Sequence, residues 1–497
     1  MRLKKTIFNI VVSFIFEVTS LLSGFVIPVL IIREYGSDVN GLTQSITNFM
    51  GYVAVLQLGA GSVIKAILYK PLAQKNMHEI SVIIKTSNSF FSKIGIAGCL
   101  YMAIVAIVFP LFIAPQYSFI YSFSLVLIIG FGVLGQYFFG ITYQMVLEAD
   151  QKSYVYSTVQ IISIILNTIF ALLVTRFHFS IQIYKVITTF LFLARPMILR
   201  LYVTKKYSID KSVKKDDDLM KQRWDGFAHG LAYYIHSKAD VFVLTLFSSL
   251  SLVSVYSVYA IITTGLNSII SRIDSAVRPV FGSIMANSEE DNLKKSFNSY
   301  NTVIHIFCAI AFSTAAVTAK KFVTVYSHGI TDTNYVQPLF SFLIISAELI
   351  YCLRSPYNSI IFTANKFKET KLSSFVEAGV NIIISVALVP FCGLVGVAIG
   401  TLIAMIYRTI YFIVFLKKNI ICFTYKSQIK RYVVTLSGYI LTIISTSFIQ
   451  FAVSNYFSWF VFALLIGLIS IVINVILNII LEWNDMKEIL KRFKIIR

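Results

Sequence analysis

The sequence has 497 residues, 57% of them hydrophobic and only 13% charged, with a mean hydropathy of +0.78. So apolar and charge-poor a chain lies outside the range of water-soluble globular proteins and needs lipid as its solvent. Its net charge of +20 does not mark a nucleic-acid partner, because the cations lie between apolar runs rather than in a compact basic region.

Apolar runs long enough for an α-helix to cross a hydrocarbon core of about 30 Å recur from end to end. They predict spans near 7–32, 41–69, 86–113, 122–147, 154–175, 181–203, 227–247, 255–285, 300–322, 338–363, 373–391, 395–416, 431–452 and 459–481. Strands of a membrane barrel would be shorter and alternating. The expected fold is all-α and polytopic, with about 14 transmembrane helices.

The first run follows Arg2, Lys4 and Lys5 in the charge order of a signal peptide, but it continues to Ile32 without a small-residue cleavage site and reads as a retained span. Ser13, Glu17, Ser20, Gly24 and Pro28 give it a small and polar face. Cations then recur in alternate connections: Lys70, Lys75 and Lys85, Lys152, the 205–223 cluster, Lys294 and Lys295, Lys366 to Lys371, Lys417 to Lys430, and the tail from Lys487 to Arg497. The opposite loops are nearly bare, with Arg33, Arg176, Lys320 and Lys321 as the main exceptions. That asymmetry predicts an even number of spans with both termini cytoplasmic.

The longest polar segment, 204–226, mixes both signs and divides the spans six and eight. We therefore expect an N-terminal transmembrane lobe at 1–203, a cytoplasmic linker at 204–226, a second lobe at 227–416, and two further spans with a basic tail at 417–497. LEADQKSYVYS (147–157) resembles FTANKFKETKLSS (362–374), and VNGLTQSITNF (39–49) resembles VSVYSVYAIIT (253–263), both about 215 residues apart. A constant offset is what a duplicated bundle leaves behind.

Gly130, Gly132 and Gly135 spell GxGxxG inside a membrane span, without the strand or acidic residue a nucleotide site requires; close helix packing is the better account, as it is for Gly396 and Gly400. The GxxxxGK[ST] phosphate loop is absent from the sequence. Cys99, Cys308, Cys352, Cys392 and Cys422 have no metal-ligand or redox spacing and read as small core residues. No metal or cofactor is expected.

Charges within spans are informative because each costs about 2.5–3.5 kcal/mol at a helix centre unless it faces protein or water. Cations (Lys65, Lys93, Lys185, Arg195, Lys238, Arg272, Arg278, Arg354, Arg408) outnumber acids (Glu17, Asp240, Asp274, Glu348, Glu377). Lys65, Arg278 and Arg408 read as interfacial side chains with snorkelling heads. Arg272 and Arg354 lie deeper, and Arg195, Arg278 and Arg354 stand just before Pro196, Pro279 and Pro356, where freed carbonyls call for protein or a wet cavity. A cationic cavity suits an anionic solute, and a guanidinium fork suits phosphate; the alternative is structural ion pairing, such as Arg272 with Asp274 or Glu348. On the seventh span His229, Tyr233, His236 and Asp240 share one face, either a proton or ion relay or a hydrogen-bonded seam.

The IPVLIIREYG ending of the first span, the ADVFVLTLFSSLSLVSVYSVY stretch at 239–259, the SRIDSAVRPVFGSIMA segment at 271–286 and the EADQKS and ANKFKET loops resemble polysaccharide flippases of the Wzx type, in the multidrug/oligosaccharidyl-lipid/polysaccharide exporter superfamily. The resemblance implies two pseudo-symmetric six-helix lobes around a cationic cavity plus two C-terminal helices. It implies a non-enzymatic carrier in a bacterial cytoplasmic membrane, moving an undecaprenyl-pyrophosphate-linked oligosaccharide for capsule, O-antigen or exopolysaccharide synthesis, with a polysaccharide polymerase and a chain-length regulator as partners. Arg272, Arg354, Arg195 and Lys238 are the expected substrate contacts, and Asp240, Glu17, Glu348 and His236 the expected coupling groups. A multidrug antiporter should favour a carboxylate-rich cavity, and a membrane polymerase or acyltransferase a large external loop; neither pattern is present in the sequence.

Overall fold

The computed structural model describes residues 2–492 apart from 211, 217, 220–233 and 235–237. Among these residues every regular element is helical: α1 (Arg2–Tyr35), α2 (Ser37–Gly51), a 3₁₀ segment (Tyr52–Gln57), α3 (Ala60–Gln74), α4 (Met77–Val108), a π-helical turn (Phe109–Ile113), α5 (Phe119–Phe139), α6 (Ile141–Ala149), α7 (Ser153–Arg176), α8 (Ile181–Lys206), α9 (238–247), α10 (Leu250–Ala286), α11 (Glu290–Tyr326), α12 (Pro338–Leu353), α13 (Ser355–Thr363), α14 (Phe367–Cys392), α15 (Leu394–Asn419), α16 (Tyr425–Thr446), α17 (Tyr456–Leu481) and α18 (Trp483–Arg492). Eleven stretches of the described chain are long and apolar enough to cross a bilayer. The protein is a multi-pass helical membrane protein. Exposed Phe14, Leu22, Leu100, Phe112, Leu201 and Leu468 would be a liability in water but are solvated by lipid tails.

Three of the fourteen expected spans fall outside those eleven, each for a visible reason. The second is broken: α2 passes through the 3₁₀ segment to Gly59, whose φ of 82° needs a residue without a Cβ, before α3 begins. Only 238–247 of the seventh are described as a continuous helix. The thirteenth, α16, carries Lys426, Lys430 and Arg431 in its first two turns. Helix starts follow local chemistry. Asn76 caps α4 by accepting from the Glu79 amide at 3.2 Å, and Asn455 caps α17 through the Ser458 amide at 2.8 Å.

The chain forms two compact units, Met1–Ser254 and Val255–Arg497. The linker expected at 204–226 belongs to the first unit, and its residues 220–226 lie outside the described residues. In the first unit α1 lies along α7, and α5 packs between α4 and α8, with α6 against α4 and α8. In the second, α12 packs between α11 and α15, α13 touches both, and α14 lies along α15.

That likeness is a duplication. The 26 residues of α15 (Leu394–Asn419) stand 213 positions after the 26 of α8 (Ile181–Lys206). Glu290 opens α11 213 residues after Met77 opens α4; Ser355 and Phe367 open α13 and α14 214 residues after Ile141 and Ser153 open α6 and α7. Left-handed residues recur at Lys75 and Ser288 and at Gln151 and Asn365. One side-chain contact recurs as well: Asn88 Nδ2 donates to the Tyr143 hydroxyl at 3.1 Å, and Asn301 Nδ2 to that of Tyr357 at 3.4 Å.

α16 and α17 pack on α11. Ser313 and Ser470 share a hydrogen bond at 2.7 Å, and His305 Nδ1 meets the Thr435 hydroxyl at 2.8 Å. Arg431 on α16 reaches Glu482 at 3.3 Å and Asp485 at 2.5 Å, which ties α16 to the junction of α17 with α18. More than half of the most apolar stretch of α11 is buried (56%), against 17% for α8. α11 is therefore an interior helix of its unit, and α8 a peripheral one.

Candidate functional site

Arg195 sits on α8 immediately before Pro196. The proline ring cannot supply the amide that would bond the Phe192 carbonyl, so the helix is weakened on the turn bearing Arg195. Gly140, the single residue between α5 and α6, lies against that turn; a Cβ there would collide with the Pro196 Cβ, so the chain needs glycine to bring the elements together. Beside the contact is a cavity of about 190 Å³, lined by Gln136 of α5, Gln144 of α6, Tyr156 and Gln160 of α7, and Phe192 and Arg195 of α8.

Its walls mix apolar side chains with four neutral hydrogen-bonding groups, Gln136, Gln144, Tyr156 and Gln160. Gln160 donates to the Tyr156 hydroxyl at 2.7 Å. Gln144 donates to Glu148 at 2.8 Å, and the other oxygen of Glu148 takes Lys65 at 3.2 Å. The Arg195 guanidinium carbon lies 4.0 Å from the centre of the Phe192 ring, a cation–π contact that offsets part of the cost of burying charge. Its Nε and Nη2 are shielded from solvent and have no hydrogen-bond partner among the described residues. A guanidinium presenting unbonded donors beside a polar cavity is equipped to hold an anionic oxygen group.

The second unit treats its cations differently. Arg354 is the one residue separating α12 from α13, and it is 8% exposed. Its Nη1 donates to Glu377 Oε1 at 2.5 Å, while Arg408 Nη1 donates to Glu377 Oε2 at 3.2 Å. The result is a buried Arg–Glu–Arg triad joining the α12–α13 break to α14 and α15, with a charge of +1. Arg354 is thus ion-paired, and its partner is Glu377. Arg408 corrects the sequence analysis: its side chain is 7% exposed and does not snorkel, because the Glu377 carboxylate inside the unit is a better partner than the headgroup region.

A second polar knot lies nearby in the chain. Asp274 on α10 is bonded by Arg278, by the Ser359 hydroxyl and by the Tyr300 hydroxyl at 3.1 Å. Arg278 also donates to Ser359 at 3.2 Å and rests on the Phe362 ring.

The remaining expected residues are spread out. Arg272 is exposed on α10, and Asn267, on the same helix, donates to Glu348 at 2.6 Å. Glu17 and Lys238 are half-buried on α1 and α9, and Asp240 is buried on α9. His236, with His229 and Tyr233, lies outside the described residues. Of the substrate and coupling residues chosen from sequence, Arg195 alone lines the cavity among the described residues. What sequence reasoning missed is the relation of Arg195 to Arg408, which occupy the same position, 213 residues apart, in equivalent helices. The repeat offset was the signal that would have found it.

No family model matches the sequence, and no curated protein sequence matches it. Solved structures do match. The lipid II flippase MurJ in an inward closed conformation superposes with a TM-score of 0.71 at 15% identity, covering 97% of this chain and 99% of that one. An inward-facing multidrug resistance MATE family transporter of the MOP superfamily gives 0.57 at 12% identity, covering 81% of this chain and 95% of its own. The MATE multidrug transporter DinF-BH gives 0.57 at 16% identity, covering 83% and 95%. At these identities the likeness establishes the fold.

Proposed function

We propose that this protein is a carrier that moves a polyprenyl-pyrophosphate-linked oligosaccharide from the cytoplasmic to the outer leaflet of a bacterial cytoplasmic membrane by alternating access, in the synthesis of capsule, O-antigen or exopolysaccharide. The observation that carries the reading is the excess of cations inside the spans. Arg195 keeps unbonded donors beside a polar cavity, and the Arg354–Glu377–Arg408 triad stays positive after pairing. Such charge is costly in a bilayer and is repaid by an anionic cargo. A polyprenyl pyrophosphate combines that charge with a tail that stays in lipid.

The fold shared over nearly the whole chain with a lipid II flippase supports a lipid cargo. The MATE folds cover less of the chain, and the extra length is of the order of two spans such as α16 and α17. Within this reading Arg195, Arg272 and Lys238 meet the headgroup, and Arg354 holds the α12–α13 break in place. Asp240, Glu17, Glu348 and His236 are the candidates for coupling to an ion gradient. No bond is made or broken in the cargo.

The test is a direct competition of cargoes in proteoliposomes. A fluorescent undecaprenyl-pyrophosphate saccharide should cross with the protein and not in empty vesicles, while a cationic rhodamine dye should not. Gradient-driven movement of the dye without the saccharide would favour the multidrug reading.

A further inference from the structure

The duplicated half of this protein carries its own picture of what belongs beside Arg195. Arg195 and Arg408 occupy the fifteenth position of the equivalent 26-residue helices α8 and α15. In the second unit Glu377 takes one donor of Arg408, Nη1, at 3.2 Å and Arg354 closes over the other oxygen at 2.5 Å, while Arg408 Nε, like that of Arg195, is unbonded. At the 214-residue offset of α6/α13 and α7/α14, the first unit has Gly140 where the second has Arg354, and Ser163 where it has Glu377. Both replacements remove volume, and one removes the carboxylate. Ser163 turns its hydroxyl onto its own helix, donating to the Val159 carbonyl at 2.8 Å.

Where the second unit holds an ion triad, the first therefore holds a guanidinium with Nε and Nη2 unbonded beside a cavity of about 190 Å³. We infer that this cavity is a binding site for one anionic oxygen group, carboxylate or phosphate, and that Glu377 is the built-in counterpart of that ligand in the second unit. Arg195 supplies the cation that faces the anion. Gln136, Gln144, Gln160 and the Tyr156 hydroxyl line the space around it and suit the hydroxyls of a sugar ring, so an acidic sugar such as a hexuronate and a free or sugar-linked phosphate are the two sources of the same chemistry. At about 190 Å³ the cavity has room for one such group. The cation needs this partner because Phe192 provides stacking but no countercharge.

The inference rests on the arginine that the transport reading also uses but concerns binding by this cavity alone, so it is tested without lipid-linked cargo. Purified full-length protein is titrated by calorimetry with glucuronate, inorganic phosphate and, as a neutral control, glucose. Glucuronate or phosphate should bind and glucose should not; the tighter of the two identifies the source. Arg195→Gln should weaken that binding roughly 10- to 100-fold, the range expected for losing charge-assisted hydrogen bonds. Ser163→Glu is the second variant. By restoring the carboxylate of the other unit it should fill the fork, abolish anion binding and raise the melting temperature, an outcome that misfolding cannot mimic. Anion binding no tighter than glucose binding in the wild-type chain, or anion binding that survives both substitutions, would overturn the assignment, whatever the transport assay finds.

Discussion

A guanidinium inside a membrane span is tolerable only with a partner, and Glu377 is the partner of two. Its removal should therefore cost more than a typical substitution. Glu377→Gln leaves Arg354 and Arg408 facing each other across a neutral amide, and we expect a loss of about 3–5 kcal/mol, seen as a lowered melting temperature. Replacing all three members with apolar residues of similar volume, Arg354→Met, Glu377→Leu and Arg408→Met together, should be close to neutral in stability, because the desolvation cost disappears along with the attraction. A triple variant as unstable as Glu377→Gln would show that the triad does more than neutralise itself. On α16 of the same unit, Arg431 bridges Glu482 and Asp485. Arg431→Gln leaves two carboxylates without their shared cation, and faster proteolytic cleavage near α18 is the expected consequence.

At the scale of elements the packing of α14 on α15 depends on missing side chains. A Cβ on Gly400 would collide with the Ser385 Oγ and lie 3.0 Å from the Asn381 carbonyl oxygen. Gly400→Leu should then push the helices apart at a cost of about 1–3 kcal/mol, checked by thermal melting of the purified protein. The two Asn–Tyr bonds make a paired prediction: Asn88→Ala should cost about 1 kcal/mol, and Asn301→Ala more, because Asn301 also donates to Gln428 Oε1 at 3.0 Å; melting curves should place them in that order. Much at this scale was legible in the sequence, for a simple reason. Bilayer thickness sets the length of an apolar run, so span positions are written in composition. The break at Arg354 was also legible, since Pro356 marked it. The break between α2 and α3 was not, because the run from 41 to 69 stays apolar through Gly59 and periodicity does not register a single left-handed residue. Glu377 was visible as an acid within a span, but which arginines it would reach depends on how α12, α14 and α15 pack.

Over the whole molecule the duplication gives the chain two similar bundles with dissimilar charges. One has neutralised most of the charge at its helix break, and the other keeps a cation beside a cavity. Function is encoded in that difference rather than in the fold, which lipid flippases and multidrug transporters share. Arg195 was readable as a candidate from its place before Pro196; its unbonded state was not, because that follows from how α5, α6, α7 and α8 pack around it. The measurement that bears most directly on the central claim is transbilayer movement of a fluorescent undecaprenyl-pyrophosphate saccharide in proteoliposomes, comparing the wild-type chain with Arg195→Gln and Arg272→Ala at matched incorporation. We predict protein-dependent movement that falls at least about tenfold in one or both variants, about 1.4 kcal/mol of lost cargo stabilisation. Movement no faster than in empty vesicles, with proton and sodium gradients imposed in turn, would contradict the account, as would movement at the wild-type rate with both cations removed together.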